Sequence, residues 1–197
     1  AVKELFREEE IHDDVLRMMF SCCSPKIAEE TQIALVLHLL GGFGVLVLPR
    51  HTFTFHRMAE EANEPLDAAI VIGVDPLTLL ASQAIVPIDH DELEIAGALQ
   101  GRPLPVVKCL TSDIRVPAEA EIVIEGSILA KVREPEGPFG EFPQTYGSRS
   151  NREVMEVLAV THRKDAIFHT MTGGGLEHLI LGAVPKEATL LTHLRRN

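Results

Sequence analysis

The sequence predicts an α+β fold, an antiparallel sheet or small barrel whose strands are interrupted by short helices. Three observations carry this expectation. Apolar residues fall at three- and four-residue spacings over residues 1–40 but gather into short runs further on. The segments 105–110, 121–125, 154–161 and 166–171 read as strands, without strict βαβα alternation. No GxGxxG follows a strand, which argues against a Rossmann domain.

The elements follow in order. Val15, Met18 and Met19, then Ile33, Val36, Leu37 and Leu40, mark two helices, with Ser24-Pro25 between them and Gly41-Gly42 as the stop. The apolar stretch from Ile33 to Leu48 contains three glycines and is too short to span a bilayer. It reads as a buried helix, a loop and a strand. Residues 56–62 read as a helix, and Ala68–Val74 as a buried strand. Helices are expected at 76–84 and 91–99, with Asp75 or Asp89 as caps. Arg163-Lys164-Asp165 is expected to turn a hairpin between the last two strands, and helices over 177–181 and 186–194 end the chain.

A chain of 197 residues suggests one domain, or one with a small appendage. Its net charge of −11 is spread over both parts: residues 1–48 carry 4 basic and 8 acidic side chains, and the rest 14 and 21. Neither part has the basic balance of a nucleic-acid-binding domain, and one Tyr and no Trp leave few stacking platforms. Cys22, Cys23 and Cys109 form no disulfide framework and no zinc spacing, as expected of thiols in a reducing cytoplasm. The acidic start AVKELFREEE lacks the basic-then-apolar layout expected of a signal peptide.

Asp13-Asp14-Val15-Leu16-Arg17-Met18-Met19-Phe20-Ser21-Cys22-Cys23-Ser24-Pro25, followed by Gln32-Ile33-Ala34-Leu35, resembles the ECF-type RNA polymerase sigma factors over residues 8–44. The resemblance stops at Gly44, and no basic recognition helix follows. No nucleic-acid partner is therefore expected. Residues 1–48 are read as a helical sigma-like segment, and 49–197 as a separate domain.

That second segment resembles the UbiD family of prenylated-FMN-dependent decarboxylases. The resemblance rests on His51 through His56, Gly73-Val74-Asp75-Pro76, Asp91-Glu92-Leu93-Glu94, Val107-Lys108-Cys109 and Val116-Pro117-Ala118. Its sharpest part is Glu136-Gly137-Pro138-Phe139-Gly140-Glu141. It implies a split β-barrel of the flavin-reductase-like FMN-binding type, a cytoplasmic, membrane-free enzyme, and a homo-oligomeric habit.

Two carboxylates five residues apart around Gly-Pro-Phe-Gly sit on a turn, where they can hold different protonation states. Decarboxylation leaves a carbanion equivalent, and a positioned carboxylic acid can protonate it. The resemblance implies that Glu141 is this acid and that Glu136 belongs to a Glu–Arg–Glu network meeting the substrate carboxylate. It also implies that His51 and Glu92 bind Mn²⁺ or Mg²⁺ bridging to a cofactor phosphate. Imidazole and carboxylate suit such an ion, although Glu94 is an equal candidate by spacing and His56 a weaker one. Ser82, Gln83 and Ala84 match a backbone segment lining the flavin and a potassium ion, and they also read simply as a helix end. Phe139 joins the cofactor-binding set. Thr172-Gly173-Gly174-Gly175 before a helix is either a phosphate cradle or a turn.

The expected function is non-oxidative decarboxylation of an aromatic or α,β-unsaturated acid. Neither Arg50 nor Arg57 matches the network arginine, and the family's upstream metal-binding Asn is not found. The chain is therefore expected to be an incomplete, weakly active or inactive piece, a join of two kinds of protein. The alternatives are a sigma-derived transcription protein and a non-catalytic flavin-binding module.

Overall fold

The computed structural model describes residues 45–46, 50–88, 90–138, 140 and 143–196. The sigma-like segment 8–44, Asp89, Phe139 and Glu141 lie outside the described residues. The chain runs β1 (Val45–Leu46), α1 (Arg50–Ala62), β2 (Leu66–Ile72), α2 (Pro76–Ala81), α3 (Glu92–Gln100), β3 (Val106–Lys108), β4 (Arg115–Pro117), β5 (Ile122–Glu136), β6 (Ser150–His162) and α4 (Leu176–Arg196).

Among the described residues all strand pairings are antiparallel, as the alternating patterns predict. The main sheet has the order β1-β6-β5-β2, and β3 and β4 form a separate ribbon. Among the described residues the main sheet is open, with β1 and β2 at its edges, and does not close into a barrel. The β5–β6 hairpin is its spine, and β5 pairs along its first half with β2. The register shifts between Glu125 and Gly126, where a Cβ on Gly126 would lie 2.1 Å from the Glu156 carbonyl oxygen. Only glycine permits that approach.

A small core of Cys109, Val116, Ala120 and Val123, with Ala69, Val71, Val74 and Ile114 against it, joins the ribbon to the sheet. Glu125 reinforces this junction from β5. Its carboxylate, only 2% exposed, accepts hydrogen bonds from Leu110 N (3.0 Å), Thr111 N (2.8 Å) and Thr111 Oγ1 (2.8 Å). Burial pushes the Glu125 carboxyl up, but these donors outweigh it and hold the group below the usual carboxylate range. Burial, aided by the nearby Glu125 charge, pushes the Cys109 thiol up, so this cysteine is an inert core group.

Four expectations are corrected. Residues 166–171 form no strand. Arg163 N donates to Glu121 O and Ile167 N to the Glu121 carboxylate, which draws the chain across the start of β5 and away from β6. The two terminal helices are one, α4, which carries Pro185 in its interior. The second helix cap is Asp91, which accepts from Leu93 N, and not Asp89. Asp75 caps α2 as expected, accepting from Leu77 N and Thr78 N ahead of Pro76. The helix expected over 56–62 starts earlier, at Arg50, and so takes in His51. Among the described residues no helix is long and apolar enough to cross a membrane.

Candidate active site

The first turn of α1 and the first turn of α3 meet. The Asp91 side chain caps Leu93 N and fixes where α3 begins, which places Glu92 at its first position. His51 Nδ1 and Glu92 Oε1 lie 3.2 Å apart across 41 residues of sequence. Both side chains are partly open to solvent, at 24% and 34% exposure. Glu94 is exposed and sits about 200° further round the helix. His56 is turned to the sheet, 1% exposed, with Nε2 on the Leu129 carbonyl oxygen at 3.2 Å. It is not a partner of the His51–Glu92 pair.

This pair fits a hard divalent cation. Two ligand atoms each about 2.1 Å from one ion and at right angles lie about 3 Å apart. Imidazole nitrogen and carboxylate oxygen are suitable donors for Mn²⁺ or Mg²⁺. Among the described residues no cluster of three or more His, Cys, Asp or Glu side chains has metal-binding geometry.

Glu136 closes β5, opposite Ser150 in the hairpin register. It is half-buried, and its Oε2 has no hydrogen-bond partner among the described residues. Burial pushes its carboxyl up, against the opposing charge of Arg152. Arg152 stands opposite Glu134, two residues before Glu136 on the same face of β5. The sequence reading gave Arg152 no role. Only the hairpin register, which depends on irregularities in β5, brings it near. An orphaned, partly buried carboxyl suits a site that an acidic substrate or cofactor group completes.

The conformational consequence is testable. A raised folded pKa means that the fold disfavours the ionised form. The penalty is present above that pKa and gone below the unfolded value near about 4.3. The melting temperature of Glu136→Gln relative to the parent is therefore expected to be more positive at pH of about 7.5 than at about 3.5. A difference independent of pH would contradict this account of Glu136.

Beyond Glu136 the chain turns through Gly137, at φ 85°, and the cis Gly137–Pro138 bond. Gly140, in the same motif, packs on the glycine-rich loop before α4. A Cβ on Gly173 would lie 2.7 Å from the Gly140 carbonyl oxygen. Gln144 Nε2 donates to Gly174 O at 3.1 Å, which ties the two loops together. Gly175 N bonds back to Thr172 O, and Gly174 N donates to His178 Nδ1. The loop is a turn with those two N–H groups already taken.

Ser82, Gln83 and Ala84 form the C-terminal turn of α2. Ser82 Oγ donates to Leu79 O at 2.7 Å, Gln83 Nε2 to Ser82 Oγ at 3.3 Å, and Ala84 N to Ala81 O at 2.9 Å. Ser82 and Gln83 are exposed, whereas Ala84 borders an apolar groove of about 590 Å³. Ile85 and Ile95 line it from one side and Val184 and Ala188 of α4 from the other. The groove is not expected from the sequence, which suggests two helices where the continuous α4 lies.

The family profile described as UbiD, 3-octaprenyl-4-hydroxybenzoate carboxy-lyase Rift-related domain, matches residues 42–176. The chain belongs to the UbiD family. The anhydromevalonate phosphate decarboxylase of Methanothermobacter thermautotrophicus is 43% identical over 143 residues, 73% of this chain and 34% of that one. The phenolic acid decarboxylase of Bacillus subtilis is 39% identical over 140 residues, covering 71% and 28%. The UbiD-class enzyme HmfF from Pelotomaculum thermopropionicum, in an evolved dimeric form in complex with prFMN, superposes with a TM-score of 0.76 and 55% identity. That match covers 78% of this chain and 36% of HmfF. The chain thus spans about a third of the length of these relatives, and it shares ancestry with these decarboxylases. The family match begins at residue 42, and the sigma-like resemblance of residues 8–44 finds no support.

Proposed function

We propose that this chain is the flavin- and metal-holding part of a UbiD-type decarboxylase that removes CO2, without net oxidation, from an aromatic or α,β-unsaturated acid. The observation that carries this reading is the approach of His51 to Glu92, 3.2 Å across 41 residues, at the positions the family resemblance marks as metal ligands. Similarity to a prFMN complex at 55% identity supports the choice of cofactor. The split β-barrel expected of the family would use the open sheet described here as its larger wall.

Prenylated FMN, when bound, supplies the electron sink for loss of CO2. His51 and Glu92 would hold Mn²⁺ or Mg²⁺ against the cofactor phosphate, with Ser82, Gln83, Ala84 and Phe139 beside the flavin and a K⁺ ion near the α2 terminus. Glu136, whose burial favours its neutral form, can donate a hydrogen bond to the substrate carboxylate. As CO2 leaves, the carbon that carried it takes a proton from the Glu141 carboxyl, which is then reprotonated from water.

The test is CO2 release from cinnamate-type and hydroxybenzoate-type acids by the chain reconstituted with prenylated FMN and Mn²⁺. Slow release that falls at least about 100-fold in Glu141→Gln is expected, the lower end of a general acid's contribution. Equal release by parent and variant, both loaded with flavin, would overturn the assignment.

A further inference from the structure

α1 carries His51, and its large apolar side chains are only partly covered. Phe53, Phe55 and Met58 are 49%, 44% and 58% exposed. Its attachment is polar and concentrated at one irregularity. The β5–β6 register jumps between Ile128 and Arg133, so residues 129–132 have no register partner in β6, and the β2 pairing ends at Ile128. Lys131 takes a φ of 60° within this bulge. The backbone groups that the ladder leaves there need other partners.

α1 supplies them from one face. His56 and Glu60 are four residues apart and so lie one above the other on the helix. His56 Nε2–H donates to Leu129 O at 3.2 Å, and Glu60 Oε1 accepts from Lys131 N at 2.7 Å. The same Glu60 oxygen takes Arg133 Nη1 at 2.9 Å, and Arg133 Nε reaches Glu153 Oε1 on β6 at 3.3 Å. Lys131 Nζ donates to Asn63 Oδ1, just past the end of the helix, at 2.8 Å. Two strands and one helix are therefore tied through Glu60 and Arg133.

We infer that His56, Glu60 and Arg133 are positioning residues for His51: the bulge in β5 and the polar clip that α1 closes on it set where the first turn of α1 meets Glu92. The inference rests on the reading of His51 and Glu92 as metal ligands. His51 lies five residues before His56, about 7.5 Å along the helix axis, so a small tilt of α1 about the clip moves the imidazole away from the carboxylate. A purely apolar contact would let the helix slide, whereas bonds from two successive turns to a fixed bulge do not.

The experiment measures Mn²⁺ binding to the full 197-residue chain by electron paramagnetic resonance, well below each variant's melting temperature. Glu60→Gln and Arg133→Met are each expected to weaken Mn²⁺ binding about tenfold, as loss of outer-sphere support does. His56→Leu should do the same, and His56→Gln, which keeps a donor for Leu129 O, should recover most of the affinity. Should Arg133→Met not fold, the near-isosteric Glu60→Gln carries the test. His51→Ala is the control that separates the two ideas. If it leaves Mn²⁺ binding unchanged, the ligand reading itself fails. If it abolishes binding while folded Glu60→Gln and His56→Leu proteins bind like the parent, the clip is merely structural and the inference is overturned.

Discussion

Glu125→Ala is expected to cost the fold about 3–6 kcal/mol, because two backbone N–H bonds to a charged group, each worth about 1.5–3 kcal/mol, disappear together. Leu110 N and Thr111 N are both left without the carboxylate that receives them at 3.0 and 2.8 Å. These groups sit on the loop between β3 and β4, so the loss unpins the ribbon from β5. The effect depends on pH with a definite sign. The folded pKa of Glu125 lies below its ordinary value, because the donors more than offset burial. Its stabilisation is therefore complete above the unfolded carboxylate pKa of about 4.3 and fades as pH falls through the lower folded value. Urea unfolding at pH of about 7 should show the full loss for Glu125→Ala. The gap between parent and variant should narrow below about pH 4. An unchanged urea midpoint at neutral pH would contradict the role given to this residue.

The second large effect concerns the metal. Replacing a residue that supports a metal ligand typically weakens binding about 10–100-fold. Loss of a ligand itself should cost at least as much, so His51→Ala and Glu92→Gln are each expected to lower Mn²⁺ affinity about 100-fold or more. Because the two side chains act on one ion, the double variant should be little worse than either single one. Glu94→Gln, two residues away and exposed, is expected to bind Mn²⁺ as the parent does. A loss in Glu94→Gln with parent-like binding in Glu92→Gln would exchange their roles.

The parts of this site that are legible in the sequence are local. Asp75 before Pro76 announces the start of α2, and Glu136 within EGPFGE announces a turn bearing two carboxylates. The apolar run over 68–74 corresponds to β2, and the antiparallel arrangement follows from alternation. What is not legible depends on tertiary partners. Residues 166–171 alternate like a strand, but Glu121 claims the Ile167 N–H through its side chain. Gly182 and Pro185 suggest a break in α4, yet the helix continues through both, and its length creates the groove against α2 and α3. The choice of Glu92 over Glu94 follows in the sequence only from the family resemblance, through the distance to EGPFGE, and not from the spacing of the two residues. In the structure the Asp91 cap decides it, by setting the phase of α3. The clip under α1 is hidden most deeply, since nothing in the local pattern of residues 129–132 reveals that the strand bulges there.

On the function proposed above, His51 and Glu92 jointly hold a divalent cation that helps retain a flavin. The most direct measurement is flavin absorbance retained through gel filtration after loading with FMN or prenylated FMN, with Mn²⁺ and again with a chelator. Retention is expected to require Mn²⁺ and to be lost in both His51→Ala and Glu92→Gln while each variant remains folded. Flavin retained equally in the presence of chelator, or in either folded variant, would contradict it.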